Sequence, residues 1–190
     1  MIRLMLDDQF ETMPWDKIDA VVFDVGNVLL SWKADELLNK LIPERPDLHE
    51  ELNIRIFKSP YWCMRDRNSA TREEVIAAMS KTAPELEPYI RRVMEGWIDL
   101  PAMAEGVAAL KECKARGVKL YALTNYADRE FAYACEQHEF FRLFDGFVVS
   151  GRLHMVKPAQ DIYGHLIETF GLEPARTLFI DDSPANIEAA

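Results

Sequence analysis

Hydrophobic and polar positions along the chain follow two different periods, and the change between them divides the sequence into regions. Residues 19–25 carry the unbroken apolar run AVVF, which predicts a strand buried on both faces. From residue 34 to about residue 100, apolar residues recur every three or four positions, which predicts helices. After Pro101, short apolar runs alternate with amphipathic stretches, which predicts strands alternating with helices.

The helical region contains four predicted helices and no convincing strand. These helices are ADELLNKLI, LHEELNIRIFK, TREEVIAAMSK and PYIRRVMEGWI. Prolines fall between these segments or at their starts, where a helix tolerates them. Thr71 and Glu74 have the spacing of a capping box, which marks the start of the third helix.

The region after Pro101 indicates an α/β fold. Strands are predicted at residues 118–124, 146–150 and 176–181. Between and after them, amphipathic stretches closed by glycine, or opened by Ser183 as N-cap, predict helices. Apolar strands alternating with helices indicate a doubly wound parallel sheet, a Rossmann-like core with helices on both faces. The core would then comprise residues 1–33 and 101–190, with residues 34–100 inserted after the first strand.

Composition narrows the classes of protein to consider. The chain has 190 residues, 49% of them hydrophobic, which suffices for one packed domain with an insertion. Its net charge of −10 argues against partners such as nucleic acid or an anionic membrane, because both need basic surface. The acidic N-terminus lacks the apolar core of a signal peptide or membrane span, and the three cysteines have no metal-like spacing. We therefore expect a cytoplasmic protein with free thiols.

Polar side chains stand at or after the ends of the predicted strands. They are Asp24, Thr124-Asn125, Lys157-Pro158 and Asp181-Asp182. In an open parallel sheet, ligands bind beyond the carboxyl ends of the strands, so these groups should converge at one edge. Together they can bind a divalent metal and a phosphate group, and they offer a carboxylate nucleophile.

These segments resemble the four motifs of the haloacid dehalogenase superfamily, in its phosphatase branch. The motifs are FDVGNVL, LYALTN, Lys157-Pro158 and FIDDSPAN, in the order and spacing of that family. The resemblance covers nearly the whole chain, and it identifies the helical insertion, residues 34–100, as a cap over the active site.

The resemblance implies roles for the residues that bind and attack the phosphate. Asp24 would be the nucleophile that forms an aspartyl-phosphate. The Thr124 hydroxyl and the Asn125 backbone N–H would hold phosphoryl oxygens, and Lys157 would neutralise both the phosphate and Asp24. The alternatives, for each residue taken singly, are a turn-forming acid at Asp24, an ordinary strand threonine at Thr124 and a solvated loop lysine at Lys157.

The resemblance also implies Mg²⁺ as cofactor. Its expected ligands are the Asp24 carboxylate, the Gly26 carbonyl and Asp182, with Asp181 as a further candidate. Asn186, in the first turn of the last helix, either orients this loop or simply starts the helix.

Gly26 departs from the family's usual pattern, which has a second aspartate at this position. That aspartate protonates the leaving oxygen and then activates the hydrolytic water, and glycine does neither. General acids contribute roughly 10²–10⁴-fold to a rate, so the departure puts efficient turnover in doubt. A branch with Asp-x-Gly-Asn-Val resembles sugar-phosphate phosphatases, including ones acting on glucose 1-phosphate. An anomeric oxygen leaves more readily than a simple alkoxide, and so needs less protonation.

The segment SPYWCMRDRNSA supplies candidate substrate contacts from the insertion. Tyr61, Trp62, Arg65 and Arg67 are candidates to face the substrate, and Arg67 with the turn at Asn68 resembles the family's cap loop. The alternative is a surface loop with one aromatic residue packed inward.

The sequence as a whole predicts a magnesium-dependent phosphatase of a small phosphorylated metabolite, with a sugar phosphate as the expected substrate. The alternatives are a weak or inactive family member that binds a phosphorylated ligand, supported by Gly26, and a 2-haloacid dehalogenase, which would need no metal. Nothing in the sequence decides between a monomer and a dimer. Because the chain stops inside the helix that begins at Pro184, we also expect a sheet that lacks its final edge strand.

Overall fold

The computed structural model describes residues 2–4, 10 and 13–190, and contains one parallel sheet of five strands. They are β1 (Ile2–Leu4), β2 (Ala20–Phe23), β3 (Lys119–Thr124), β4 (Gly146–Val149) and β5 (Thr177–Ile180). Their order across the sheet is β1-β5-β2-β3-β4, and all four neighbouring pairs are parallel. The four strands that the sequence predicts are confirmed to within two residues at either end.

The strand β1 contradicts the prediction of a missing edge strand. Ile2 pairs with Leu178 and Leu4 with Ile180, so β1 occupies the edge beside β5. The prediction was wrong because it expected this edge to be filled only by chain beyond Ala190. A strand of three residues is also too short to show the hydrophobic period from which a strand is predicted.

The helices occupy two stretches of the chain. Between β2 and β3 lie α1 (Ala34–Leu41), α2 (His49–Ile56), α3 (Pro60–Asp66), α4 (Arg72–Ser80) and α5 (Glu87–Gly96). After them come α6 (Ala104–Ala115), α7 (Asp128–Gln137), α8 (Ser150–Leu153), α9 (Gln160–Phe170) and α10 (Pro184–Ala189). In the part of the chain that the structure describes, no helix is long and apolar enough to cross a membrane.

Alternate residues of the central strands pack against opposite faces of the sheet. Phe23 and Ile180 belong to a buried group that includes Leu110 of α6 and Phe131 of α7. Val22 and Phe179, their neighbours in sequence, pack instead with Ile162 and Leu166 of α9. Both faces are therefore covered by helices, which confirms the doubly wound arrangement and explains the unbroken apolar strands.

The segment 34–100 has a hydrophobic core of its own. Leu38, Leu52, Ile76 and Ile90 come from four different helices and are almost fully buried together. The predicted capping box is present, with Thr71 and Glu74 exchanging side-chain-to-backbone hydrogen bonds at the start of α4.

Helix α3 is the element of this segment that the sequence did not predict. It begins with Pro60 at its first position, and Trp62 and Arg65 turn inward. Its seven residues are too few and too polar to show a helical period, so the stretch resembled a loop.

Candidate active site

The chain order of the strands creates a crevice beside β2. From β2 the chain adds β3 and β4 on one side, and then returns to form β5 on the other. Ligands of open α/β sheets bind at such a reversal, beyond the carboxyl ends of the strands. Asp24 follows β2 here and Asp181 follows β5, and the Asp24 N–H donates to the Ile180 carbonyl at 2.8 Å.

Lys157 joins the two strand ends. Its Nζ lies 2.9 Å from Asp24 Oδ1 and 2.5 Å from Asp181 Oδ2. The main chain of Lys157 is held by the Asn125 side chain, which accepts from its N–H at 2.8 Å and donates to its carbonyl at 3.0 Å. The Lys157 and Asp181 side chains are 1% and 0% exposed, so water screens this ion pair little.

Both carboxylate oxygens of Asp181 accept hydrogen bonds from other groups of the protein. Oδ1 accepts from the Ser183 N–H and from Asn186 Nδ2, both at 2.9 Å, and Oδ2 accepts from Lys157. Asn186 therefore does orient this loop, which decides between the two interpretations of that residue. We call Asp24, Lys157, Asp181 and Asn186 the sheet-end cluster.

The Asp24 carboxyl titrates above the usual range for aspartate. Burial raises its pKa from 3.8 to about 6, the nearby Asp181 charge acts in the same direction, and the Lys157 ammonium opposes both. Oδ1 accepts from the Val25 N–H at 2.7 Å as well as from Lys157. Neither of these two contacts involves Oδ2 of Asp24.

The acids of the two strand ends fit a magnesium ion. Asp24, Asp181 and Asp182 each offer a carboxylate oxygen within 4.8 Å of the others, and oxygen is the ligand that Mg²⁺ prefers. The Asp181 oxygens are engaged elsewhere, whereas Asp182 is exposed and accepts one hydrogen bond, from Asn27 Nδ2 at 3.1 Å. Asp24 and Asp182 are thus the acids best placed to hold the ion.

Gly26 leaves open space where a side chain would stand. A Cβ built on this residue meets no atom within 4 Å, and its backbone lies outside the left-handed region. The next residue, Asn27, does adopt a left-handed conformation, with φ of 52°. Its Oδ1 accepts from the Trp32 N–H at 2.9 Å, so Asn27 links the loop to both Trp32 and Asp182.

A pocket of about 170 Å³ lies over the sheet end. Its polar residues are Asp24, Asn27, Asp66, Thr124, Asn125 and Asp182, and Gly26 lines it as well. Trp32, Trp62, Trp97 and Tyr126 line it as well, and we call these four the aromatic wall. Successive rings of the wall lie 5.6, 5.3 and 5.6 Å apart between centroids. The pocket thus joins a charged end to an apolar side.

Comparison with known proteins shows to which family a chain with this architecture belongs. Residues 18–190 match the haloacid dehalogenase-like hydrolases. The chain belongs to this family. The sesquiterpene phosphatase astK of Aspergillus oryzae is 26% identical over 186 residues, covering 90% of this chain and 84% of that protein. The family predicted from the four motifs is confirmed, and with it a hydrolase.

Solved structures of other haloacid dehalogenase-like proteins share the fold. A dehalogenase covers 92% of this chain and 80% of its own, with a TM-score of 0.73 and 18% identity. An enzyme from Bacteroides thetaiotaomicron, solved with magnesium and inorganic phosphate, covers 90% and 88%, with a TM-score of 0.65 and 19% identity. The α/β fold class predicted from the sequence is confirmed.

The four candidate substrate contacts of segment 34–100 lie in different surroundings in the structure. Trp62 lines the pocket, and Tyr61 packs against the core of the segment. Arg65 is 4% exposed and lies between Trp62 and Trp97, with its Cζ 4.6 and 4.1 Å from their centroids. Arg67 is exposed and is not among the residues that line the pocket, so the structure does not bring it to the other predicted site residues.

Five pocket residues of this hydrolase escaped the sequence interpretation, namely Asn27, Trp32, Asp66, Trp97 and Tyr126. Asn27 lies within the first motif and Trp32 shortly after it, and Asp66 lies directly before Arg67. Proximity to the first motif is a signal that points to Trp32 and Asn27. No sequence signal separates Asp66 from Arg67, because only the rotation of α3 decides which of two neighbours turns inward.

Proposed function

We propose that this hydrolase is a magnesium-dependent phosphatase that cleaves a small phosphorylated metabolite through an aspartyl-phosphate on Asp24. The observation that carries the proposal is the buried Lys157 ammonium, 2.9 Å from Asp24 and 2.5 Å from Asp181. A fixed cation beside a carboxylate lets a second anion approach, because it offsets the repulsion between the two anions. A phosphate group is the anion that this arrangement favours.

The proposed reaction has two steps. A carboxylate oxygen of Asp24 bonds to phosphorus while the bond to the leaving oxygen breaks, and water then hydrolyses the phosphoenzyme. The Thr124 hydroxyl, at the end of β3, and the Asn125 backbone N–H would hold phosphoryl oxygens, since both residues line the pocket beside Asp24. Asp181 would act indirectly, by keeping Lys157 in place.

Asp24, Asp182 and the Gly26 carbonyl would hold the metal. Magnesium supplies positive charge that neutralises phosphate oxygens when it is bound. The B. thetaiotaomicron structure with magnesium and phosphate supports this proposal by fold similarity. Asn27 would orient Asp182 through the 3.1 Å hydrogen bond to Oδ2.

The segment 34–100 is proposed to be a cap that selects the organic group, since it supplies Trp62, Asp66 and Trp97 to the pocket.

Two classes of substrate remain candidates. The Gly26-Asn27-Val28 motif supports the sugar phosphate expected from the sequence. The aromatic wall supports an apolar group instead, because an apolar cavity of about 150 Å³ holds a benzene ring. The relative astK, named a sesquiterpene phosphatase, also supports an apolar group.

The test is hydrolysis of p-nitrophenyl phosphate with magnesium and with EDTA, by the wild type and by Asp24→Asn. We expect metal-dependent release of phosphate, and an acid-stable label on Asp24 after rapid quenching with ³²P-labelled substrate. Asp24→Asn should lose activity by about 10⁴-fold or more and keep its fold, because asparagine still accepts from the Val25 N–H. Glucose 1-phosphate and farnesyl phosphate, compared by kcat/KM, separate the two substrate classes.

Two outcomes would contradict the proposal. Release of chloride from a 2-haloacid, without hydrolysis of any phosphate ester, would make the protein a dehalogenase. Tight binding of phosphate without turnover of the aryl ester would make it an inactive binding protein. The aryl ester suits this distinction, because its leaving group needs little protonation and so the glycine at position 26 does not mask activity.

A further inference from the structure

The pocket contains a carboxylic acid that has no part in the chemistry described so far. Asp66 is the last residue of α3 and lines the same pocket as Asp24, Gly26 and Thr124. Asp24 is the proposed nucleophile and Asp182 a proposed metal ligand, which leaves Asp66 as the remaining carboxyl among the residues described at the pocket.

The core holds Asp66 in place although the residue belongs to the segment 34–100. The Ser150 hydroxyl, at the start of α8, donates to the Asp66 carbonyl at 2.6 Å. Ser150 Oγ in turn accepts from the Tyr126 N–H at 2.8 Å, and His154 Nδ1 lies 2.7 Å from the Arg67 carbonyl. The C-terminal end of α3 is thus fixed to the core directly beside the pocket.

The leaving oxygen of a phosphate ester needs a proton, and few side chains here can give one. Gly26 has no side chain. Tyr126 lines the pocket, but burial raises the pKa of its hydroxyl further above the usual value, which makes it a poor acid. Lys157 is bound to two carboxylates.

We propose that Asp66 is the general acid and base of this site, in place of the side chain that position 26 lacks. The inference rests on the proposed phosphatase function. As Asp24 bonds to phosphorus, the electron pair of the breaking P–O bond stays on the leaving oxygen, which takes the proton of the Asp66 carboxyl. The Asp66 carboxylate then accepts a proton from the water that attacks the phosphoenzyme, so that phosphate leaves and both aspartates return to their starting states.

The surroundings of Asp66 raise the pKa of its carboxyl to near neutral pH. Burial is the main cause that raises its pKa from 3.8 to about 7, and the charges of Glu130 and Asp24 act in the same direction. The guanidinium of Arg65 opposes them. A carboxyl of this kind can both give and accept a proton at neutral pH, as the two steps require.

The experiment compares Asp66→Asn with the wild type on a primary alkyl phosphate and on p-nitrophenyl phosphate. We expect kcat/KM for the alkyl ester to fall by about 10²–10⁴-fold, and for the aryl ester by less than about tenfold. The value of kcat/KM reports steps up to release of the leaving group, so it isolates the acid. The variant should also release p-nitrophenol in a burst, because hydrolysis of the phosphoenzyme has lost its base.

The pH profile supplies a readout that a structural role would not change. Wild-type kcat/KM for the alkyl ester should fall as pH rises through about 7, because Asp66 loses its proton there. Asp66→Asn should not show this decline. The matched control is Glu130→Gln, which removes a charge near Asp66. It should move the decline to lower pH by less than about one unit, and leave kcat/KM unchanged at pH values below the decline.

A second variant guards against misfolding of the first. A Cβ at position 26 meets no atom within 4 Å, and Gly26→Asp in the Asp66→Asn background should restore alkyl ester hydrolysis by about tenfold or more. Equal losses on both esters in Asp66→Asn, or no loss, would overturn the role of Asp66 alone. A wild type that hydrolyses neither ester would overturn the phosphatase proposal, and this inference with it.

Discussion

The two sides of the pocket differ in how their polar atoms are satisfied. In the sheet-end cluster, the charged atoms of Lys157 and Asp181 meet partners at 2.5 to 3.1 Å. Beside the aromatic wall, the three guanidinium nitrogens of Arg65 have no hydrogen-bond partner among the described residues, and neither do Trp97 Nε1 and Tyr126 Oη.

This difference supports the proposed division of roles, with the reaction at the sheet end and selection of the organic group at the wall. A network with all its members paired holds one geometry, because any displacement leaves a buried charge alone. In the wall, Trp97 and Tyr126 each carry a buried polar atom without a partner among the described residues, and such an atom gains a hydrogen bond when a ligand supplies one. We therefore expect the sheet end to hold one geometry during the proposed reaction, and the wall to accommodate different organic groups.

The largest effect is expected where the sheet-end cluster is broken. Lys157→Met leaves Asp24 and Asp181 buried without a counter-charge, and it removes the cation proposed to receive the phosphate. We expect the free energy of unfolding to fall by about 3–5 kcal/mol. Activity on p-nitrophenyl phosphate should fall by about 10³-fold or more. Urea unfolding and steady-state kinetics measure the two effects.

Lys119→Met is the matched control for this variant. Lys119 pairs with Asp145 at 3.1 Å, but its side chain is 64% exposed, and exposed pairs contribute about 1 kcal/mol or less. Similar losses in the two lysine variants would mean that the sheet-end cluster is no more strongly coupled than the surface.

A smaller effect is expected from the aromatic wall. Trp62→Leu removes ring area from the pocket and leaves the sheet end untouched. For an apolar substrate we expect KM to rise by about 10–100-fold with kcat nearly unchanged, because the ring binds ground and transition states alike. Inorganic phosphate should inhibit the variant and the wild type equally.

The control for Trp62 is Trp15→Leu, which alters a tryptophan that packs on Phe10 and does not line the pocket. A fall in kcat for Trp62→Leu, with KM unchanged, would show that the wall takes part in the chemical step. That result would remove the division between the two sides.

The smallest effect concerns the pH dependence of stability. The pKa of Asp66 is raised to about 7 by burial, so between pH 4 and 7 the folded protein holds a proton that the unfolded chain has lost. The stabilisation from this proton is complete below about pH 4 and disappears as pH rises through about 7.

Asp66→Asn cannot titrate, so its stability relative to the wild type should increase from pH 4.5 to pH 8. One pKa unit corresponds to about 1.4 kcal/mol, and because the pocket is partly open to water we expect about 1–2 kcal/mol in total. Urea unfolding of both proteins at several pH values measures the difference. A constant difference would show that Asp66 titrates normally.

The sheet end was predictable from the sequence, whereas Trp62 was the one residue of the aromatic wall that the sequence pointed to. Asp24, Thr124 and Asp181 lie at or just beyond the ends of apolar strands, and parallel strands bring such residues to one edge. Trp32, Trp97 and Tyr126 come from loops or a helix end, where no period indicates a direction. The placement of Asp66 inside and Arg67 outside the pocket depends on where α3 begins, which the sequence pattern does not define.

The short strand β1 has a consequence for handling the protein. It covers the hydrogen-bonding edge of β5, the strand that leads into Asp181 and Asp182. Removal of β1, or a bulky affinity tag that displaces it, would expose a row of unpaired backbone groups on an apolar strand. Such edges recruit strands from other molecules, so aggregation and loss of soluble yield are expected from N-terminal truncation.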